Sequence, residues 1–324
     1  MNINKLKNIV KSFKNHKILV IGDCMMDQWV WGKVNRISPE APVPVVEVDY
    51  YSFTPGGAAN VVNNLCVLGA KVNLAGVVGK DFIGKRLKRE LRNNGVDIKA
   101  IVEDGSRPTT LKTRIVAHNQ QVVRADYEKI ENLSKATIDH LLKIIDGHLD
   151  GFDAVLFSDY AKGVICREFV EKILKRCKDK KVKVIAGPKP ANINLFKEAD
   201  YISLNKSEAE AASGIKIKDE KTLIKAGGEI LNKTKAKSII ITRGEEGMSI
   251  FDGHKKPIHI SALASQVYDV SGAGDTVISV FTLAIASGAG AEDAALLANY
   301  AASIVVKKVG TATVTTDELM DVLK

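Results

Sequence analysis

Cysteine is scarce in this chain, with four residues at positions 24, 66, 166 and 177 and no C-x-x-C pair. That excludes a disulfide-stapled scaffold and a cysteine-based zinc site, and sets a reducing compartment as the expectation. The six histidines are scattered, without the H-E-x-x-H spacing of a zinc peptidase. Aromatics amount to only 6%, too few to build the stacking platforms on which single-stranded nucleic acid lies. Long apolar runs are missing as well. The most apolar stretch, residues 277–286, is too short and too interrupted to span a bilayer. The basic stretch 1–17 lacks the apolar core of a signal peptide. These absences predict a soluble, cytoplasmic protein with no nucleic-acid or membrane partner.

What is present is an ordinary globular balance, 45% hydrophobic and 26% charged over 324 residues. One large domain spanning 1–324, with a small appendage, fits that length. The net charge of +9 comes from 47 Lys+Arg against 38 Asp+Glu. The cations lie on helix faces (Lys5, Lys7, Lys11, Lys14; Lys85, Arg86, Lys88, Arg89) without interleaved aromatics. Solvated helix faces explain most of the excess, and the remainder suits a small phosphorylated ligand.

Short apolar runs alternate with helical patterns. Strands are expected at 17–21, 72–78, 153–157, 182–186, 200–203 and 237–241. Helices are expected at 57–69, 81–94, 166–179, 206–213, 219–235, 273–287 and 291–308, with a short one after Thr315. This rhythm predicts an α/β fold with a mostly parallel central sheet and helices on both faces. Two strand-rich stretches, 28–51 and 98–126, interrupt it. Brought together they would form a small β-sheet lid over the carboxyl ends of the core strands, where open α/β folds bind ligands.

The sharpest local signal is Asp269-Val270-Ser271-Gly272-Ala273-Gly274-Asp275 ahead of an apolar helix. Glycines at a helix entry let backbone N–H groups face an anion, and the helix dipole adds partial positive charge. A carboxylate placed beside such a site, Asp275, has an obvious task in accepting a hydroxyl proton during phosphoryl transfer. A plain capping role is the alternative. Gly79-Lys80-Asp81-Phe82-Ile83-Gly84-Lys85 has P-loop spacing, but Arg86 stands where Ser or Thr must meet Mg²⁺. A turn and helix start is the expectation there. Gly56-Gly57-Ala58-Ala59-Asn60 opens a helix with small residues, permitting close approach of a polyhydroxyl ligand, and Asn60 offers donor and acceptor. Asp23 and Asp27 at the end of the first strand suit sugar hydroxyls better than glycosidase chemistry.

The G-G-A-A-N and D-V-S-G-A-G-D segments resemble the two signatures of the ribokinase-like (PfkB) carbohydrate kinases, over essentially the whole chain. Within that family, the stretch Arg36-Ile37-Ser38-Pro39-Glu40-Ala41-Pro42-Val43-Pro44-Val45-Val46 resembles the heptose-7-phosphate kinase branch. So do His118-Asn119-Gln120-Gln121, Ser158-Asp159-Tyr160-Ala161-Lys162-Gly163 and Val267-Tyr268-Asp269-Val270. Kinases of that branch stand alone or form the first half of a bifunctional enzyme. With no second nucleotide-binding pattern before Lys324, the expectation is the kinase alone.

The resemblance implies a ribokinase-like fold, ATP and Mg²⁺ and a sugar-phosphate acceptor; exposed lid strands need pairing or cover, so a homodimer joined through the lids is expected. It implies Asp275 as base, with the amides of Gly272, Ala273 and Gly274 as anion hole. Asn205, Lys206, Ser207 and Glu208 match the motif that serves ATP and, through water, Mg²⁺. Thr242, Gly244 and Gly247 match the nucleotide-phosphate loop, and Asn299 the residue near adenine. Asp27, Gly56, Gly57 and Asn60 match the sugar site; Asp23, Asn119 and Gln120 are further substrate-binding candidates, with one of Asp23 and Asp27 alternatively capping a turn. Arg114, Arg124, Lys162 and Lys189, with Arg36 and Lys112, are the cations available for a substrate phosphate. Asp269, with Gly310, falls where some relatives bind a monovalent cation such as K⁺. Two positions depart from the branch. Gly187 in Ala186-Gly187-Pro188-Lys189 replaces an expected Asp, and Ser203-Leu204-Asn205 replaces Thr-Pro-Asn. The rival expectations are a kinase for another sugar or nucleoside, and a regulator that binds without catalysis. A dehydrogenase is disfavoured, since no G-x-G-x-x-G follows the first strand.

Overall fold

The computed structural model describes residues 2–118, 120–253, 256–263, 267–308 and 310–323. Its strands run, in chain order, β1 (Lys17–Gly22), β2 (Cys24–Ile37), β3 (Pro44–Gly57), β4 (Lys71–Gly79), β5 (Ile101–Asp104), β6 (Thr110–Ala117) and β7 (Gln120–Tyr127). They continue with β8 (Ala154–Ser158), β9 (Lys183–Gly187), β10 (Tyr201–Asn205), β11 (Ser238–Thr242), β12 (Met248–Asp252) and β13 (Ile258–Ile260). Nine of them form one sheet in the order β13-β12-β11-β10-β9-β8-β1-β4-β5. Strand β1 lies between β8 and β4, parallel to both. Ile18, Leu19, Val20 and Ile21 are all buried, as a central strand covered on both faces requires.

Helices cover each face. On one, Ala58–Val67, Phe82–Asn93, Ala273–Ala286 and Ala291–Val305 bury a core that includes Val62, Leu87, Phe281 and Leu297. On the other, Lys135–Asp146, Arg167–Lys180, Lys206–Ser213 and Glu220–Thr234 close over Ile138, Phe169, Ala209 and Leu223. The expected α/β architecture is present. Three elements were not foreseen: helix Lys135–Asp146 and the antiparallel strands β12 and β13 at one sheet edge.

The second sheet has the order β3-β2-β6-β7, with β2 antiparallel to β3, parallel to β6, and β7 antiparallel to β6. It grows directly out of the core, because β2 starts two residues after β1 ends and β3 runs straight into helix Ala58–Val67. The small sheet therefore begins at the carboxyl end of β1. Strand β5, inside the stretch expected to supply the lid, instead pairs with β4 at the edge of the large sheet. Cross-strand register puts Asp27, Lys112 and Thr54 on one face, followed by Trp29, Arg114 and Ser52. Trp29, Trp31 and Tyr50 stack along it, with ring centroids 5.8 and 6.0 Å apart. The opposite face buries Met26 and Val30, and the Arg86 guanidinium lies 3.9 Å from the Phe53 ring.

The P-loop lookalike is the expected turn and helix start. Asp81 caps helix Phe82–Asn93, accepting from Gly84 N at 2.7 Å, and also accepts from the amide and hydroxyl of Thr109. Its own carboxylate fills the place an anion would take.

Candidate active site

Helix Ala273–Ala286 begins at Gly272, which adopts φ +79° and offers no side-chain cap. The sharp left-handed entry is open only to residues tolerant of positive φ. It leaves the helix N-terminus facing the cleft rather than a capping oxygen. Ala273, expected to lend its amide to an anion hole, donates that N–H to Val270 O at 3.1 Å. Gly274 and Asp275 line a cleft of about 160 Å³ with Ser158, Asp159, Tyr160, Gly187, Lys189, Ser203, Leu204, Asn205, Glu208, Thr242 and Ile278.

Both oxygens of Asp275 are held. Tyr160 Oη donates to Oδ1 at 2.5 Å, and Asn60 Nδ2 donates to Oδ2 at 2.6 Å. Burial pushes the carboxyl above its ordinary value, while Tyr160, Asn60 and the Lys189 charge pull it down and Asp27 pushes it up. The Tyr160 phenol is raised well above the usual range, first by burial and then by the charge of Asp275.

The two carboxylates at the end of β1 separate in role. Asp23 is 1% exposed, and accepts from the backbone N–H groups of Tyr160, Lys162 and Val164 at 2.8, 3.2 and 3.0 Å. It organises the loop after β8 rather than facing a sugar, and burial raises its pKa against those three bonds. Asp27 points into the small sheet, pairing with Arg114 at 2.5 Å. Gly56 is small for a local reason, since a Cβ there would collide with the Asp27 carboxylate. Gly57 takes φ +58° at the entry of helix Ala58–Val67.

Four of the cations expected near a substrate phosphate already have a carboxylate: Arg114 with Asp27, Arg124 with Asp126, Lys162 with Glu128 at 2.5 Å, and Lys189 with Glu208 at 2.6 Å. Lys112 shares Asp126 with Arg124. Arg114 and Arg124 are directly opposite one another across β6 and β7, an arrangement of like charges that costs stability unless an anion joins them. Arg36 and Gln120 are exposed, far out on the small sheet's strands β2 and β7. Asn119 lies outside the described residues.

On the nucleotide-motif side, Asn205 and Glu208 form a reciprocal capping box on helix Lys206–Ser213, at 2.8 and 2.9 Å, and Ser207 Oγ also donates to Asn205. Lys206 lies 3.6 Å from Glu246. Gly244 and Gly247 take positive φ in the turn between β11 and β12, where Arg243 N donates to Gly247 O at 2.7 Å. Asn299 is buried and donates to Ser261 O at 2.8 Å, away from the residues lining the cleft. Asp269 accepts from Ser271 N and Gly310 N at 2.8 and 2.9 Å. Burial works against its ionisation, but those bonds hold its carboxyl below the ordinary value.

Sequence reasoning passed over Tyr160, Asp159 and Glu128. Asp159 is buried and accepts from Lys189 N at 2.8 Å, Ala161 N at 2.8 Å and Asn192 Nδ2 at 2.9 Å. It therefore anchors the Lys189 loop, one of the tasks a carboxylate at position 187 would have served. The Ser158-to-Gly163 motif was the available signal for Asp159 and Tyr160. Glu128, after β7, had none.

A nine-stranded, mostly parallel sheet between helices, with a small sheet grown from its strand ends, defines the ribokinase-like class. Arabidopsis thaliana ribokinase complexed with ribose and ATP superposes with a TM-score of 0.76 at 19% identity, over 95% of this chain and 99% of that one. Escherichia coli phosphofructokinase-2 in complex with potassium gives 0.78 at 19% identity, over 95% and 98%. At those identities the likeness establishes the fold. The chain belongs to the pfkB family of carbohydrate kinases, whose sequence profile matches residues 15–318. It is 46% identical over 310 residues to the bifunctional protein HldE of Desulfatibacillum aliphaticivorans, covering 96% of this chain and 63% of that protein. The HldE of Geobacter sulfurreducens is 43% identical over 93% of this chain and 62% of its own length. The chain thus spans less than two thirds of these bifunctional relatives.

Proposed function

We propose that this sugar kinase transfers the γ-phosphoryl of ATP to O1 of D-glycero-β-D-manno-heptose 7-phosphate, giving the 1,7-bisphosphate, with Asp275 as general base. The observation that carries the reading is the placement of Asp275. It stands at an uncapped helix N-terminus, in the cleft, between a donor from the small-sheet side, Asn60, and one from the loop after β8, Tyr160. The acceptor hydroxyl gives its proton to Asp275 as its oxygen bonds to the terminal phosphorus and the bond to the ADP oxygen breaks. Charge on the transferring group is met by the amides of Gly272 and Gly274 and by the helix dipole.

ATP would lie along Asn205, Lys206, Ser207, Glu208, Thr242, Gly244 and Gly247. Asn299 is the residue assigned near adenine. Among the described residues no group of three His, Cys, Asp or Glu converges. Of the cleft carboxylates Asp159, Glu208 and Asp275, Glu208 is the one on the nucleotide motif and would serve Mg²⁺ held mostly by phosphates and water. When bound, that ion neutralises phosphate charge. Asp269 with Gly310 would hold a monovalent cation such as K⁺. Asp27, Gly56, Gly57 and Asn60 would meet the sugar, and Lys112, Arg114 and Arg124 outnumber Asp27 and Asp126 on the facing sheet, leaving charge for a phosphate. Lys162 and Lys189 would add further positive charge for it.

The small sheet, from about 28–51 and 98–126, would act as the lid of a single domain, closing to exclude water. Its exposed Tyr51 and Val123, which share a face with Val30, favour a homodimer through the lids. No helix among the described residues is long and apolar enough to cross a membrane.

The carboxylate partners that Lys112, Arg114 and Arg124 each have favour a second reading, a sugar acceptor without phosphate. An ADP-release assay across sugars and sugar phosphates separates the two. The heptose 7-phosphate is expected to turn over best, and superior turnover of an unphosphorylated sugar would overturn the first reading.

A further inference from the structure

The carboxylate of Asp275 meets one donor on each oxygen, Tyr160 on Oδ1 and Asn60 on Oδ2. An ionised carboxylate has about four lone-pair sites, so both oxygens retain room for an incoming hydroxyl. Tyr160 is itself held from several sides. Its backbone N–H donates to buried Asp23 at 2.8 Å, and its ring lies 5.4 Å from Lys189 Nζ, which pairs with Glu208 at 2.6 Å. The aromatic face and the ammonium attract one another. One side chain therefore touches the carboxylate at its hydroxyl and, at its ring, the ion pair of the nucleotide motif.

We propose that Tyr160 is a positioning residue for phosphoryl transfer: its hydroxyl holds the Asp275 carboxylate ionised and in a single orientation toward the acceptor, and its ring couples that orientation to the Lys189–Glu208 pair. The proposal rests on the reading of Asp275 as base. The groups facing Asp275 are Tyr160 from the loop after β8, Asn60 from helix Ala58–Val67, Lys189 from the loop after β9 and Asp27 from β2. Of these, Tyr160 leads the influences that oppose burial and favour the charged carboxylate. The phenol, raised well above its ordinary value, remains a protonated donor across the working range.

Tyr160→Phe keeps the ring and removes only the hydroxyl. A hydrogen bond to a charged group contributes about 1.5–3 kcal/mol, which corresponds to about one pH unit or more. Without the donor, the carboxylate protonates more readily. The acid limb of kcat/KM for the sugar therefore moves to higher pH by about one unit or more, while KM for ATP stays near wild type. Fluorotyrosine at position 160, a stronger donor of nearly the same size, moves the limb to lower pH and serves if the Phe variant folds poorly. A role confined to packing would change the melting temperature and leave both limbs in place. Asp275→Asn is measured alongside. If it is inactive while the Tyr160 variants leave the limb unmoved, the inference falls and the base assignment stands. If Asp275→Asn turns over normally, both fall.

Discussion

Asn60 donates to Asp275 Oδ2 at 2.6 Å, joining the start of helix Ala58–Val67 to the start of helix Ala273–Ala286 across 215 positions of sequence. Deeper in, Thr276 Oγ1 donates to Asn64 Oδ1 at 2.8 Å, so a second buried bond locks the same two helices together. The two family signatures are one structural unit. The sugar-side signature steadies the residue assigned as base in the other.

Asp275→Asn is expected to lower kcat by roughly 10²–10⁴, because the amide cannot take up the hydroxyl proton. ATP should still raise the melting temperature of the variant. Steady-state kinetics with a thermal-shift titration checks both, and near-normal turnover would remove Asp275 from its role.

Gly187→Asp tests the missing carboxylate. A Cβ at Gly187 meets the end of the Ile278 side chain at 2.9 Å and otherwise only the Phe157 carbonyl at 3.9 Å, so a small rotamer adjustment accommodates it. The added charge beside Lys189 and Glu208 is expected to lower the half-saturating Mg²⁺ concentration severalfold. An unchanged Mg²⁺ titration would make the substitution incidental, in keeping with Asp159 already anchoring the Lys189 loop.

Asp23→Ala should cost about 3 kcal/mol or more of stability, since three backbone donors lose a buried acceptor and each contributes about 1–3 kcal/mol when left unpaired. Asp23→Asn, which keeps one accepting oxygen, should cost less. Urea unfolding of the two variants measures the difference, and equal stabilities would argue against the hub role.

Asp81 supplies a pH test of folding. Burial opposes its charge, but the bonds from Thr109 and Gly84 outweigh it and hold the carboxyl below its ordinary value. Its folded value lies below its unfolded one, so its contribution is complete above about pH 4 and is lost as pH falls through the folded value. Unfolding free energy should decline over that acid range, with a shallower slope in Asp81→Asn. Identical slopes would refute the assignment.

The lid face carrying Tyr51, which is 60% exposed, and Val123, 49% exposed, predicts that Tyr51→Glu combined with Val123→Lys converts a dimer to a monomer. Light scattering at micromolar concentration decides it. A wild-type monomer would end the lid-dimer reading.

Local chemistry made much of this legible from sequence. The apolar run of β1 could only be a buried strand, and the glycines before Asp275 could only serve a turn into a helix. The 28–51 stretch was harder. It became β2 and β3, strands of 14 residues each that reach beyond its bounds, because pairing with each other continues through Asp27 and Gly56 down to the core. Strand β5 was expected in the small sheet but pairs with β4 in the large one, a partner that a strand pattern of four residues does not specify. Asn205 and Glu208 form a capping box and also line the cleft.

The sequence by itself determined the α/β rhythm, the family, and the placement of a carboxylate at a glycine-rich helix entry, because these depend on residues adjacent in the chain. Tertiary structure alone decided that Asp23 holds a loop while Asp27 faces Arg114, that Lys112, Arg114, Arg124, Lys162 and Lys189 have carboxylate partners, and that Tyr160 and Asn60 meet on Asp275. The physical reason is that hydrogen bonds and ion pairs are settled by distances of about 3 Å between side chains that lie more than a hundred residues apart.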